Sequence, residues 1–148
     1  MSESLRVLVV EDEAILSMQL ELLIEDAGHV VVGTAFSAAE AIRMAHETQP
    51  DIAFVDLQLR GGSSGLDVAR AVRDLEGVMI VFVTANAAML PEDFEGGAAV
   101  IPKPFSVAIM EGTLPYLEEC VRRPPPKAAR PTGMRLAPAY EARWAAAS

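Results

Sequence analysis

What this chain lacks narrows its roles before anything it contains. Cysteine is nearly missing: Cys120 is the only one in 148 residues. A single thiol excludes an internal disulfide framework and fits a reducing cytosol. Cys120 itself reads as a small apolar residue on the last helix. No apolar run is long enough to span a bilayer. Met-Ser-Glu-Ser leads into the first apolar stretch without a basic leader. A cytoplasmic location without membrane contact is therefore expected. Internal repeats are absent, and basic charge is scarce over most of the chain. Residues 1–121 carry 6 basic and 20 acidic side chains, net −14, whereas residues 122–148 carry 6 basic and 1 acidic, net +5. So acidic a body is a poor nucleic-acid binder, and no nucleic-acid partner is expected. Only the basic tail can approach an anionic surface.

What is present is a folded core, since 51% of the residues are hydrophobic and 148 residues suffice for one domain. Four apolar runs share one feature. Leu5–Val10 ends in Glu11-Asp12, Ile52–Val55 ends in Asp56, Val78–Val83 ends in Thr84, and Ala98–Ile101 is followed by Lys103. Continuous runs of this length, rich in β-branched residues, suit strands covered on both faces. In an open parallel sheet the reactive site lies beyond the carboxyl ends of the strands. Side by side, the four strands bring Glu11, Asp12, Asp56, Thr84 and Lys103 into one crevice.

Between the strands the pattern is helical. Asp12 is expected to cap a helix running to about Ala27, with Gly28 as its stop. Val30–Val32 reads as the second strand, with Gly33-Thr34 as a turn. Ser37-x-x-Glu40 is a capping box for a helix that Pro50 ends. Gly61–Gly65 reads as a flexible loop, and a third helix is expected from Leu66 to about Leu75. The connection Asn86–Gly97 holds at best a stub of helix. Gly112 and Pro115 predict a kink or a break in the last helical stretch, after Phe105. His29 and His46 are expected at the surface. Strands alternating with helices argue an α/β fold, a doubly wound sheet of five parallel strands with right-handed crossovers. Domain organisation follows: residues 1–123 as the domain, residues 124–148 as a Pro/Ala/Arg-rich basic tail without an output domain. Pro124–Pro126 favours an extended segment. Within the tail Ala139–Ala147 can form a short helix carrying Tyr140 and Trp144, and its charge and aromatics predict that it folds back on the acidic body or reaches a neighbouring chain.

The crevice chemistry is specific. An aspartate is ionised near neutral pH and needs no general base to act as a nucleophile. Its obstacle is an anionic phosphoryl donor, and a hard cation such as Mg²⁺ on carboxylate oxygens removes it. Glu11 and Asp12 supply charge for the ion, and Asp56 can bridge metal and phosphorus. Lys103 can neutralise a phosphoryl oxygen, and Thr84 can donate a hydrogen bond to another. Each residue alone has a plainer reading as a cap or a solvated loop residue. Five of them, each at a strand's carboxyl end, are hard to obtain by chance.

Val7-Leu-Val-Val-Glu-Asp12, the strand ending in Asp56, Val83-Thr84-Ala85 and Lys103-Pro104-Phe105 together resemble the receiver domain of two-component response regulators, of flavodoxin-like fold. The resemblance covers roughly residues 4–121. It implies Asp56 as phosphoacceptor, Glu11 and Asp12 as the acidic metal pair, the backbone carbonyl of Gln58 as a further ligand to Mg²⁺, and Thr84 and Lys103 as the phosphoryl-sensing residues. It also implies a cis Lys103–Pro104 bond, and a partner-facing surface on the first helix and the loop after strand five. The phosphoryl donor would be a histidine kinase or a histidine phosphotransfer protein, and signalling would run through a further protein partner, with a homodimer left open. Departures stand at Arg60 in place of the usual proline, at Val100 in place of the usual switch aromatic, and in a short connection from Thr84 to Lys103 that implies a shortened fourth helix. Two alternatives remain at this point. One is a Mg²⁺-dependent phosphatase with an Asp nucleophile, which needs an acid where Gln58 stands; the other is a receiver-like scaffold that is never phosphorylated.

Overall fold

The computed structural model describes residues 4–59 and 64–147. The apolar runs form strands β1 (Arg6–Val10), β2 (Val30–Ala35), β3 (Ile52–Asp56), β4 (Met79–Thr84) and β5 (Ala99–Pro102), all mutually parallel. Sheet order is β2-β1-β3-β4-β5, with a short β6 (Arg135–Leu136) beyond β5. Period-two alternation divides the core. Val7, Val9, Ile52, Phe54, Val81, Val83, Ala99 and Ile101 face one layer, packed with Leu20 and Ile24 of α1 (Ala14–Asp26). Leu8, Val10, Ala53, Val55, Ile80, Phe82 and Val100 face the other, against α2 (Ala38–Thr48) and α3 (Gly65–Ala71). Both faces are covered, which is why the strands read as unbroken apolar runs. No helix among the described residues is long and apolar enough to cross a membrane.

Several expected boundaries move. Glu13, not Asp12, occupies the N-cap position of α1, and it makes no side-chain cap bond. The Glu11 carboxylate instead accepts from the Glu13 N–H at 3.1 Å, which leaves Asp12 at the mouth of the site. Gly33-Thr34 is not a turn. It continues β2, whose register slips by one residue opposite Val7 and Leu8. A Cβ at Gly33 would lie 3.1 Å from Met44 Sδ and 3.3 Å from Leu8 Cδ1, so α2 closes on the strand there. The box expected at α2 is half formed: Ser37 accepts from the Glu40 N–H, but the Glu40 carboxylate accepts from the Phe36 N–H, one residue before the N-cap. The third helix ends four residues early, at Ala71, and its continuation tightens into an i−3 bond from the Leu75 N–H to the Val72 carbonyl.

The helix after β5 is continuous. α4 (Val107–Arg122) carries both Gly112 and Pro115 without a break. Pro115 is exposed, and so is Glu111, the residue whose carbonyl its ring deprives of a helix partner. His29, expected at the surface, is buried because its Nδ1 accepts from the Leu5 N–H at 2.9 Å and closes the turn between α1 and β2. Between β4 and β5 there are two single 3₁₀ turns, Ala87–Met89 and Phe94–Gly96, and no α-helix.

The sheet has six strands rather than five, because the chain past Pro126 returns to it. β6 pairs antiparallel with β5, Leu136 opposite Ala99 and Arg135 opposite Val100. α5 (Pro138–Ala147) follows, and Met134, Leu136 and Trp144 join the core on the α1–α4 side. Tyr140 and Trp144, one turn apart, meet edge to face at 5.3 Å between centroids. Apolar burial holds this segment more than charge does. Arg122 and Arg123 do pair with Asp51 and Glu118 of the body. Arg130, however, pairs with Glu141 of the same segment, and Arg143 lies over its own Tyr140 ring.

Candidate functional site

The carboxyl ends of β1, β3, β4 and β5 converge as the sequence predicts. β3 delivers Asp56, β1 leads into Glu11 and Asp12, β4 ends on Thr84, and Lys103 follows β5. Lys103 is the centre of the network. Its Nζ donates to Glu11 Oε1 at 2.8 Å and to Asp56 Oδ2 at 3.1 Å. Glu11, Asp56 and Thr84 are buried, whereas Asp12 is partly open to solvent. One carboxylate oxygen from each of Glu11, Asp12 and Asp56 lies within 4.8 Å of the others.

Burial pushes the Glu11 carboxyl above its ordinary range; the Lys103 ammonium and the Glu13 N–H pull the other way, and the Asp56 charge adds to the rise. Burial acts to lower Lys103, but its bonds to Glu11 and Asp56 outweigh it, so the ammonium is held above its usual value. The site therefore keeps a firm cation between two buried acids. Three clustered carboxylates against one ammonium leave an excess of negative charge, the donor set of a hard, oxygen-seeking divalent ion.

The backbone around Asp56 is equally constrained. Asp56 Oδ1 accepts from the Gln58 N–H at 3.1 Å. The Gly65 N–H donates to the Leu57 carbonyl at 2.9 Å, and Gln58 bridges to Ser64. Ser64 caps α3 in a reciprocal box with Asp67. Thr84 Oγ1 accepts from the Asn86 N–H at 3.0 Å, which leaves the hydroxyl proton to donate elsewhere. The Lys103 N–H bonds the Thr84 carbonyl at 2.8 Å, and the Lys103–Pro104 bond is cis. Arg60 lies outside the described residues. Val100 is buried in the α2–α3 layer, between Phe82 and Arg135 in the sheet.

Glu11, Asp12, Asp56 and Lys103 thus form one cluster, and Thr84 stands at the carboxyl end of β4, the strand next to that of Asp56. Sequence reasoning missed Gly65. Its signal was present as the last glycine of the Gly-Ser run, but the need for it arises from α3 packing on the Asp56 backbone.

A family model described as the response regulator receiver domain matches residues 7–113. The chain belongs to the response regulator receiver family. PhyR, the phyllosphere-induced regulator of Methylorubrum extorquens, is 35% identical over 126 residues, covering 79% of this chain and 46% of that protein. The receiver domain of Erythrobacter litoralis PhyR is 32% identical with a TM-score of 0.60, covering 75% of this chain and 87% of that one. A LuxR-family two-component response regulator from Aurantimonas sp. SI85-9A1 superposes over 98% of both chains with a TM-score of 0.69; at 24% identity it speaks for the fold alone. The receiver spans about half the length of the curated relatives it matches, 46% of PhyR and 57% of PdtaR from Mycobacterium tuberculosis.

Proposed function

We propose that this receiver takes a phosphoryl group onto Asp56 from a histidine kinase or a histidine phosphotransfer protein and signals by protein–protein contact. The observation that carries the reading is the Lys103 ammonium bridging Glu11 and Asp56, with Asp12 completing the acidic cluster. Glu11, Asp12, Asp56 and the Gln58 carbonyl would hold Mg²⁺. When bound, the ion supplies the positive charge that lets a carboxylate meet an anionic donor. An oxygen of Asp56 forms a bond to phosphorus as the phosphorus–nitrogen bond to the donor imidazole breaks. That imidazole nitrogen keeps the bonding pair and takes a proton from water. Lys103 follows the charge from the Asp56 carboxylate to a phosphoryl oxygen. Thr84, with its hydroxyl proton uncommitted, donates to another.

The α1 surface supports a protein donor. Ile15, Met18 and Leu22 lie at helical spacing and are all exposed, Ile15 to 85%. Beside them Leu16, Gln19, Pro104 and Phe105 line a cavity of about 330 Å³ next to Lys103. The phosphatase alternative has no acid at the required position, where Gln58 stands with its amide directed to Met89 Sδ. The product is a modified protein rather than a released molecule. The test uses acetyl phosphate with Mg²⁺: a one-phosphoryl mass increase, abolished by chelation and strongly slowed in Asp12→Asn, supports the reading. Labelling that is indifferent to both contradicts it.

A further inference from the structure

The C-terminal strand and helix touch both chain segments that leave the site. On one side is β5. The Ala137 N–H donates to the Ala98 carbonyl at 2.7 Å, and Arg135 and Leu136 continue the pairing along Val100 and Ala99. The turn before β6 ends against Pro102, the residue preceding Lys103. A Cβ at Gly133 would stand 3.2 Å from Pro102 Cγ, and Gly133 holds a φ of +86° that a side chain resists. On the other side is the connection from Thr84 to β5. The Arg135 guanidinium lies 5.8 Å from the centroid of the Phe94 ring. Phe94 and Glu95 are successive non-glycine residues in the left-handed region, at φ +55° and +51°. Such strain persists only where surroundings impose it. Here they are the Arg73–Glu95 ion pair at 2.7 Å, the burial of Phe94 and the tail's Arg135.

We propose that β6–α5 is a clasp whose closure is set by the state of Asp56: closed on the unmodified site and loosened when Asp56 carries a phosphoryl group. The inference rests on the phosphoacceptor reading for its trigger. Lys103 now holds the end of β5 by bonding Glu11 and Asp56, and the clasp fits that position, with Pro102 against Gly133. A phosphoryl group draws Lys103 and Thr84 to new oxygens, so the end of β5 and the connection that follows Thr84, both held by the clasp, move together. Packed contacts are lost by displacements of this kind rather than stretched. The clasp thereby closes the outer edge of β5. Its opening bares the β5 edge, a row of unpaired backbone groups ready for another strand, and the α4 face around Tyr116 and Cys120, which packs in one cluster with Leu136 and Trp144.

The full chain tests this by hydrogen exchange over residues 134–144 and by labelling of Cys120, the single thiol, which is buried beside Trp144 and Tyr140. Acetyl phosphate with Mg²⁺ supplies the modification, and intact mass on the same sample reports its occupancy. A second arm, without phosphate, uses Lys103→Met, which releases the end of β5 directly. Exchange over α2 serves as the reference; if it shows Lys103→Met unfolded, Lys103→Gln, which keeps a neutral donor but removes the ammonium, takes its place. The expected result is exchange and labelling faster by about fivefold or more in both arms, the lower end of typical coupling between sites, with α2 unchanged. A phosphorylated chain with unchanged exchange and labelling overturns the proposal. If no phosphoryl group is taken up, the phosphoacceptor reading fails instead. The Lys103→Met arm then decides the clasp alone, and unchanged exchange there overturns it.

Discussion

A Cβ placed on Gly65 would stand 2.4 Å from the backbone oxygen of Asp56 and 2.8 Å from Val55 Cγ1. The first residue of α3 therefore sets how closely that helix approaches the strand carrying Asp56. Gly65→Ala must push either the helix or the Asp56 backbone aside, at a cost of about 1–3 kcal/mol. Gly112, exposed inside α4 with nothing within 4 Å of its Cβ position, gives the opposite expectation. Gly112→Ala should stabilise by about 0.5–1 kcal/mol. Urea unfolding of both variants checks the pair, and similar shifts in one direction would refute the packing argument.

Lys103→Met removes the cation between two buried carboxylates. Breaking a buried pair from one side costs about 3–5 kcal/mol, and the open face of this site places the loss near the lower figure. The pH dependence has a definite sign. Glu11 is already held above its ordinary value by burial, so the folded state binds its proton more tightly than the unfolded chain. Such a group destabilises the fold at pH above its folded value, and the penalty disappears as pH falls through it. Without Lys103 that value rises further. The gap between Lys103→Met and the parent should narrow on acidification from pH 7 toward 5. Midpoints compared at the two ends read this directly; a constant gap contradicts it.

His29 runs the other way. Burial pushes its imidazole below the ordinary value of about 6.5, with Arg122 adding to the effect and Glu118 opposing it. Its Nδ1 accepts from the Leu5 N–H, which requires the ring to be neutral. The unfolded chain then takes up the proton first. The contribution is complete above pH 6.5 and is lost as pH falls through the folded value, at up to about 1.4 kcal/mol per pH unit within the window. His29→Asn keeps an acceptor and cannot titrate there. Between pH 7.5 and 5.5 the parent should lose more stability than the variant, and parallel curves would remove His29 from the account.

The five parallel strands and the cluster of Glu11, Asp12, Asp56 and Lys103 were legible because both depend on local pattern. A doubly buried strand must be apolar along its length, and in this topology its first polar residue falls in the crevice, as Asp56 and Thr84 do. The shortened fourth helix was legible for the same reason, from Pro91 and the Gly96-Gly97 pair. What escaped depends on contacts distant in sequence. Gly33 looks like a turn residue, and only its pairing with Leu8 of β1, beneath Met44 of α2, makes it a strand residue. His29 looks like a helix-end surface residue until the Leu5 N–H finds its ring. Arg135-Leu136 is far too short to read as a strand, and it becomes one because β5 offers it an edge. Pro115 reads as a breaker, yet α4 continues through it on the exposed side, where Glu111 also stands.

On the proposed function, Asp56 is the residue that receives the phosphoryl group. Treatment of the parent chain and of Asp56→Asn with acetyl phosphate and Mg²⁺, followed by intact mass and peptide mapping, tests it most directly. One added phosphoryl group is expected on the parent, mapped to the peptide containing Asp56, and none on the variant. A mass increase that survives in Asp56→Asn, or that maps to Glu11 or Asp12, contradicts it.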